Sequence, residues 1–175
     1  MSLQVLRESL PDTARDIKLN LGTVLSAEGA PDLTETQRTL IALSVAYATK
    51  HLDLATAIEA ESTALDQVHL HAAKTVAALM AMNNVYYRFL HLSNDEAVKK
   101  LPARLRMNGL ANHGIAKLDF ELAALAVSAV NGCGMCIESH IHEVRKHGAS
   151  DLAIQSSARI AAVLAATAQA LSFPQ

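Results

Sequence analysis

The chain has 175 residues, a mass of 18.6 kDa, a net charge of -2 and a pI near 6.4. That size suits a single domain, expected over residues 1–175, whose core needs no staples. The near-neutral balance gives neither nucleic acid nor an anionic membrane an electrostatic hold, and neither is expected as a partner.

Hydrophobic residues make up 51% of the chain against 18% charged, and much of the excess is alanine in runs such as Ala161 to Ala166. Small side chains let helical faces approach closely, which predicts an oligomer. The longest apolar run, near Ile160 to Ala166, is far short of the roughly 20 residues that span a bilayer. Met1 to Arg15 interleaves acids and bases and does not read as a secretory signal, so a cytoplasmic location is expected. In a reducing compartment a close cysteine pair is more often catalytic or metal-binding than structural.

The apolar spacing of three to four, with no alternating stretch, predicts an all-α chain. Leu10-Pro11-Asp12 opens a helix to about Asn20. Gly29-Ala30-Pro31 breaks the pattern, and Thr34 with Gln37 forms a capping box for a helix to about Thr49. A helix over about 52–64 follows, then one capped by Asp66 that runs to about Leu90. Ser93 to Glu96 starts a short helix, and Pro102 to Lys117 reads as irregular. The last three helices are expected at about 118–130, 132–146 and 151–171.

Two halves, about 34–91 and 118–172, read as copies of one helical unit. Leu40, Ala42, Leu43 and Val45 recur as Leu122, Ala124, Leu125 and Val127. Asp66, Ala73, Lys74 and Ala77 recur as Asp151, Ala158, Arg159 and Ala162. His51 and Leu54 stand in the first half where Cys133 and Cys136 stand in the second. The scaffold is therefore expected to pack without thiols, and only the second half is equipped for chemistry.

The chemistry lies in the run Asn131-Gly132-Cys133-Gly134-Met135-Cys136-Ile137-Glu138-Ser139-His140, which holds both cysteines of the chain. Asn131 as N-cap and a helix from Gly132 would put Cys133, Cys136 and His140 on one face. A helix N-terminus favours a thiolate, and an imidazole one turn on is within reach of the Cys136 sulfur as a proton acceptor. On this reading Cys136 has the base and Cys133 the better access, and the pair can close a reversible disulfide. Two other readings fit the residues. The cysteines can be small apolar core side chains, or they can be metal ligands with His140 and His142, although no second paired motif completes such a set. The other histidines, His51, His69, His71, His91, His113, His142 and His147, read as surface or structural. Glu121 lies twelve residues before Cys133 in the first part of the preceding helix, where a carboxylate is favoured by the helix dipole.

Asp119-Phe120-Glu121-Leu122, followed by Ala126 to Cys133, Cys136 and His140, resembles the alkylhydroperoxidase AhpD family, within the carboxymuconolactone-decarboxylase-like superfamily. The resemblance extends through Asp16 to Leu21, Met80 to Arg88 and Leu105 to Asn108, and so covers most of the chain. It implies an all-helical fold, commonly a homotrimer, and a thiol-dependent alkyl hydroperoxide reductase of antioxidant defence. It also implies reduction of a partner peroxiredoxin, AhpC. Electrons would come from dihydrolipoamide on a lipoylated acyltransferase, kept reduced by lipoamide dehydrogenase, with no tightly bound cofactor or metal. The implied roles are sulfenic acid formation at Cys136, proton donation and resolution by Cys133, and a proton relay through His140 and Glu121. The chain departs from the family pattern at Met135, where members often carry a second histidine between the cysteines. The alternatives in function are a metal- or ligand-binding helical module, and a decarboxylase-like enzyme that uses other residues.

Overall fold

A computed structural model describes residues 2–174; the expected domain limits, Met1 and Gln175, lie outside the described residues. The described chain forms nine α-helices and no strand. They are α1 (Leu3–Glu8), α2 (Arg15–Leu21), α3 (Glu35–Thr49), α4 (Leu52–Glu61), α5 (Gln67–Ser93), α6 (Glu96–Lys99), α7 (Lys117–Val130), α8 (Gly134–Lys146) and α9 (Asp151–Leu171). Turns of 3-10 helix sit at Asp12–Ala14 and Asn108–Leu110. The all-α class expected from periodicity is what the chain adopts.

Local signals set most boundaries. Thr34 Oγ1 accepts the N–H of Gln37 at 3.1 Å, and the Gln37 side chain accepts the N–H of Thr34 at 2.9 Å, which closes the expected capping box. Asp66 caps α5 by accepting the N–H of His69 at 2.9 Å. The N-terminus departs from expectation. The single helix expected from Leu10 is a 3-10 turn followed by α2, and α1 precedes it. Pro11 is extended, with φ -66° and ψ 159°, so its ring separates Leu10 from a continuous helix. The six residues of α1 are too few to hold a helix alone. Ser2 caps it, and the burial of Leu6 and Leu10 ties the segment to the core. Helix α4 ends at Glu61, earlier than expected, where Ser62 Oγ donates to the Ile58 carbonyl at 2.6 Å.

Two helices are enclosed. Every residue of α3 from Leu40 to Ala46 is buried, and so is every residue of α7 from Phe120 to Ser128. A helix apolar on all sides must be surrounded. These two pack on each other, and α5 and α9 pack on both. Truncating a side chain here, such as Leu122→Ala, costs about 2–5 kcal/mol. Helix α8 is different. Only Cys136 and Val144 of its residues are buried, and it lies at the rim against α7 and α5. The enclosed α7 thus fixes a rigid floor, and α8 carries polar chemistry across it. Among the described residues no helix is long and apolar enough to cross a membrane.

Candidate active site

Helix α7 ends at Val130 with Asn131 as its C-cap, and Gly132 follows with φ +66°, in the left-handed region that glycine adopts without steric cost. The chain turns back there. The Cys133 N–H bonds the Ser128 carbonyl at 3.2 Å, and Cys133 becomes the N-cap of α8. Its Sγ accepts the N–H of Cys136 at 3.3 Å. The expected placement, with Asn131 as N-cap and a helix from Gly132, is therefore corrected by two residues. Gly132 is not in helical conformation, and Asn131 is used elsewhere. Its Nδ2 donates to Asn84 Oδ1 at 2.9 Å, and its carbonyl accepts from Arg88 Nη1.

Cys133 and Cys136 are joined as a disulfide with their Cα atoms 5.3 Å apart. The expected order of access is reversed: Cys133 is 0% exposed and Cys136 is 7% exposed. As the capping residue, Cys133 turns in beneath the first turn of α8 against the end of α7. Cys136, three residues on, lines a cavity of about 230 Å³. The wall of that cavity carries three thioethers, Met80, Met107 and Met135, together with Leu110 and His140.

His140 Nδ1 lies 2.6 Å from Glu121 Oε2, and Lys117 Nζ lies 2.7 Å from Glu121 Oε1. The Glu121 side chain is only 6% exposed. Burial pushes its carboxyl pKa up, but the hydrogen bonds and charges of His140 and Lys117 outweigh burial and hold it down at about 2. Glu121 is thus an anion at neutral pH that accepts from the imidazole. In the neutral form of the ring this bond fixes the tautomer, with the proton on Nδ1 and the lone pair on Nε2. Sequence reasoning placed the His140 hydrogen bond on the Cys136 sulfur. In the disulfide-bonded state it goes to Glu121, a far stronger acceptor than a sulfur without charge.

Lys117 was not among the expected site residues, although its i,i+4 spacing to Glu121 is a readable signal. Met80 and Asn83 reach the site from α5, and Met107 and Leu110 from the irregular segment; the family resemblance runs through the first three, but no spacing marks any of them as a site residue. His113 is buried in a stack on Phe120, with ring centroids 4.2 Å apart, and burial holds its pKa below the usual histidine value. Among the described residues no three His, Cys, Asp or Glu side chains are grouped to share a cation.

Residues 96–173, which carry α6 to α9 with Lys117, Glu121, Cys133, Cys136 and His140, match the carboxymuconolactone decarboxylase family. The chain is 51% identical to an alkyl hydroperoxide reductase AhpD of Coxiella burnetii, over 95% of this chain and 95% of that protein. It is also 51% identical to one from Rhodospirillum centenum, over 98% of this chain and 91% of the relative. The chain belongs to the AhpD family. A third AhpD, from Rhodopseudomonas palustris, is 47% identical over 96% of this chain and 92% of its own length. The AhpD relationship therefore extends through the N-terminal helices, well beyond the segment that carries the dithiol.

Proposed function

We propose that the chain is a thiol-dependent alkyl hydroperoxide reductase working through the Cys133–Cys136 dithiol. Relatives named alkyl hydroperoxide reductase, at about half identity over nearly the full chain, support a peroxide-reducing oxidoreductase. One observation carries the finer reading. Cys136 opens on an apolar cavity beside His140, whose ring is held by a buried carboxylate.

In the reduced protein, His140 Nε2 takes the Cys136 thiol proton. Glu121 holds the ring and stabilises the imidazolium that forms. The thiolate attacks the distal oxygen of the hydroperoxide: a sulfur–oxygen bond forms, the oxygen–oxygen bond breaks, and Cys136 becomes a sulfenic acid. Cys133 gives its proton to the leaving alkoxide. The Cys133 thiolate then attacks the Cys136 sulfur, expelling hydroxide, which takes the proton from His140. The sum is two thiols and one hydroperoxide giving disulfide, alcohol and water. The amides at the start of α8 favour each thiolate in turn.

Burial of Cys133 directs the returning electrons to Cys136, where an attacking thiolate expels Cys133 as the leaving group. A slender dithiol suits the cavity, in keeping with dihydrolipoamide on a lipoylated acyltransferase, recycled by lipoamide dehydrogenase, and with onward reduction of an AhpC-type peroxiredoxin. The chain works in the cytoplasm as a homotrimer. The exposed stripe Val85, Phe89 and Leu92 on one face of α5 supports a subunit contact.

The test follows dihydrolipoamide oxidation by a hydroperoxide, with and without AhpC. Turnover in either arm that disappears in Cys136→Ser is expected. Peroxide-dependent oxidation that survives loss of both cysteines would overturn the reading in favour of a decarboxylase-like or ligand-binding site elsewhere.

A further inference from the structure

Two neighbouring asparagines on α5 are both buried, and they have opposite fates. Asn84, 1% exposed, is fully engaged: Nδ2 donates to Ser128 Oγ at 2.9 Å, and Oδ1 accepts from Asn131 Nδ2 at 2.9 Å. It ties the turn before Cys133 to α5. Asn83 is 5% exposed, and its Oδ1 finds no hydrogen-bond partner. Folded proteins pair nearly all buried polar atoms, and an orphan acceptor is destabilising. A leucine or methionine of similar size would fill this place at no such cost. Asn83 stands in the wall of the cavity that Cys136 and His140 share, beside Met80, Met107, Met135 and Leu110 and the hydroxyl side chains Tyr87 and Ser139. The one carboxamide in this wall has its oxygen left unsatisfied.

We propose that Asn83 anchors the hydroperoxide against Cys136. This rests on the peroxidase reading and adds to it a group that touches the substrate. A hydroperoxide, R–O–O–H, carries one O–H donor on its distal oxygen and acceptor lone pairs on both oxygens. A carboxamide offers the complement, a carbonyl for the O–H and an N–H for an oxygen. Oδ1 is closed off in the resting protein, and a rotation of the carboxamide about χ2 brings it to the cavity. With the O–H then held by Oδ1, the distal oxygen is oriented toward the Cys136 sulfur and the alkyl group lies along Met80, Met107 and Leu110. As the thiolate bonds the distal oxygen and the oxygen–oxygen bond breaks, negative charge moves to the proximal oxygen. The Asn83 N–H stabilises that charge until a proton arrives. Against a wall made largely of apolar side chains such a bond is stronger than in water. Hydrogen bonding unmet in the resting protein is met by substrate, as expected where a fold keeps local destabilisation for function.

The test uses Asn83→Leu in the full-length protein, with tert-butyl hydroperoxide as probe. Three quantities are read: the rate of sulfenic acid formation at Cys136, the rate of disulfide reduction by dihydrolipoamide, and the thermal midpoint. The peroxide step is expected to slow roughly tenfold to a hundredfold, the reduction step to slow by much less, and the midpoint to hold or rise. A merely structural asparagine would give the opposite pattern, with a lower midpoint and both steps slowed alike, and that result would overturn the proposal. If Asn83→Leu does not fold, Asn83→Ser replaces it. A smaller loss confined to the peroxide step is expected, and a wild-type rate for that step overturns the anchoring role. Wild-type protein inert to peroxide would remove the peroxidase reading itself. A reactive wild type with an equally reactive Asn83→Leu removes only the role of Asn83.

Discussion

The two halves of the molecule build the same turn from different residues. Gly132 has φ 66°, and Lys50, 82 positions earlier, has φ 62°. Cys133 caps α8 through its Sγ, which accepts the Cys136 N–H at 3.3 Å; His51 caps α4 through Nδ1, which accepts the Leu54 N–H, also at 3.3 Å. The enclosed helices α3 and α7 lead into the two turns, and Gln37 donates to Asp119 across them at 2.7 Å, a pair again 82 apart. We read residues 34–91 and 118–172 as copies of one helical unit, a reading these placements support. The first copy then shows what the scaffold does without chemistry. Leu54 and Ile58, at 0% and 4% exposure, stand where the second copy has Cys136 and His140. Thr39, in the place of Glu121, turns its hydroxyl to the Glu35 carbonyl at 2.8 Å. The fold is satisfied by apolar packing there. The second copy replaces that packing with a dithiol and a buried anion, and the anion is tolerated because Lys117 and His140 hold it from both sides.

Removing the sulfurs should have the largest effect. Cys136→Ser is expected to abolish peroxide turnover. Cys133→Ser should react once and stall with a sulfenic acid trapped on Cys136, read by mass spectrometry after dimedone labelling. Writing the first copy into the second, as Cys133→His with Cys136→Leu, should leave helix content and a cooperative melt in place while turnover vanishes. Loss of the fold in that variant would break the comparison between the halves.

The proton path comes next. His140→Ile, which copies Ile58, should fold and slow the peroxide step by about 10²–10⁴-fold. Glu121→Gln acts through His140 and should slow it by roughly 10–100-fold. Stopped-flow measurement of both fixes the order, and equal effects would mean that Glu121 does more than orient the ring.

The buried anion also gives the second half a pH sensitivity that Thr39 cannot give the first. Although burial raises the Glu121 carboxyl, its partners take it from an ordinary 4.5 down to about 2. A folded-state value below the unfolded one contributes stability that is complete above about 4.5 and drains away as pH falls toward 2. Denaturant titrations across that window should show the loss in wild type and a flatter profile in Glu121→Gln. An unchanged slope would mean that the carboxylate is not held by its partners in solution.

The smallest effects concern the turns themselves. Gly132→Ala places a side chain in the left-handed region and should cost about 1 kcal/mol, whereas Lys50→Gly relieves the same conformation and should gain about as much. Opposite shifts in thermal midpoint are expected. Shifts of one sign would show that the two turns are held by different contacts.

The fold class and most helix boundaries were legible in the sequence, because capping and apolar periodicity act over a few residues: the Thr34–Gln37 box and the Asp66 cap are examples. The N-terminal helix α1 was not legible, since six residues become helical only when Leu6 and Leu10 find a core supplied by distant segments. The four residues of the dithiol motif and its relay were also legible as candidates, from spacing and from the AhpD resemblance. Which sulfur faces the cavity was not. That depends on Cys133 being the cap rather than the first turn of α8, and the cap position was decided by Arg88 and Asn84 of α5 holding Asn131. The same helix sets Met80 and Asn83 beside Cys136, more than 40 residues away in the chain. Local sequence determines where helices start and which residues could react; exposure, pKa and the wall of the cavity come from side chains brought together only when the enclosed helices α3 and α7 are covered.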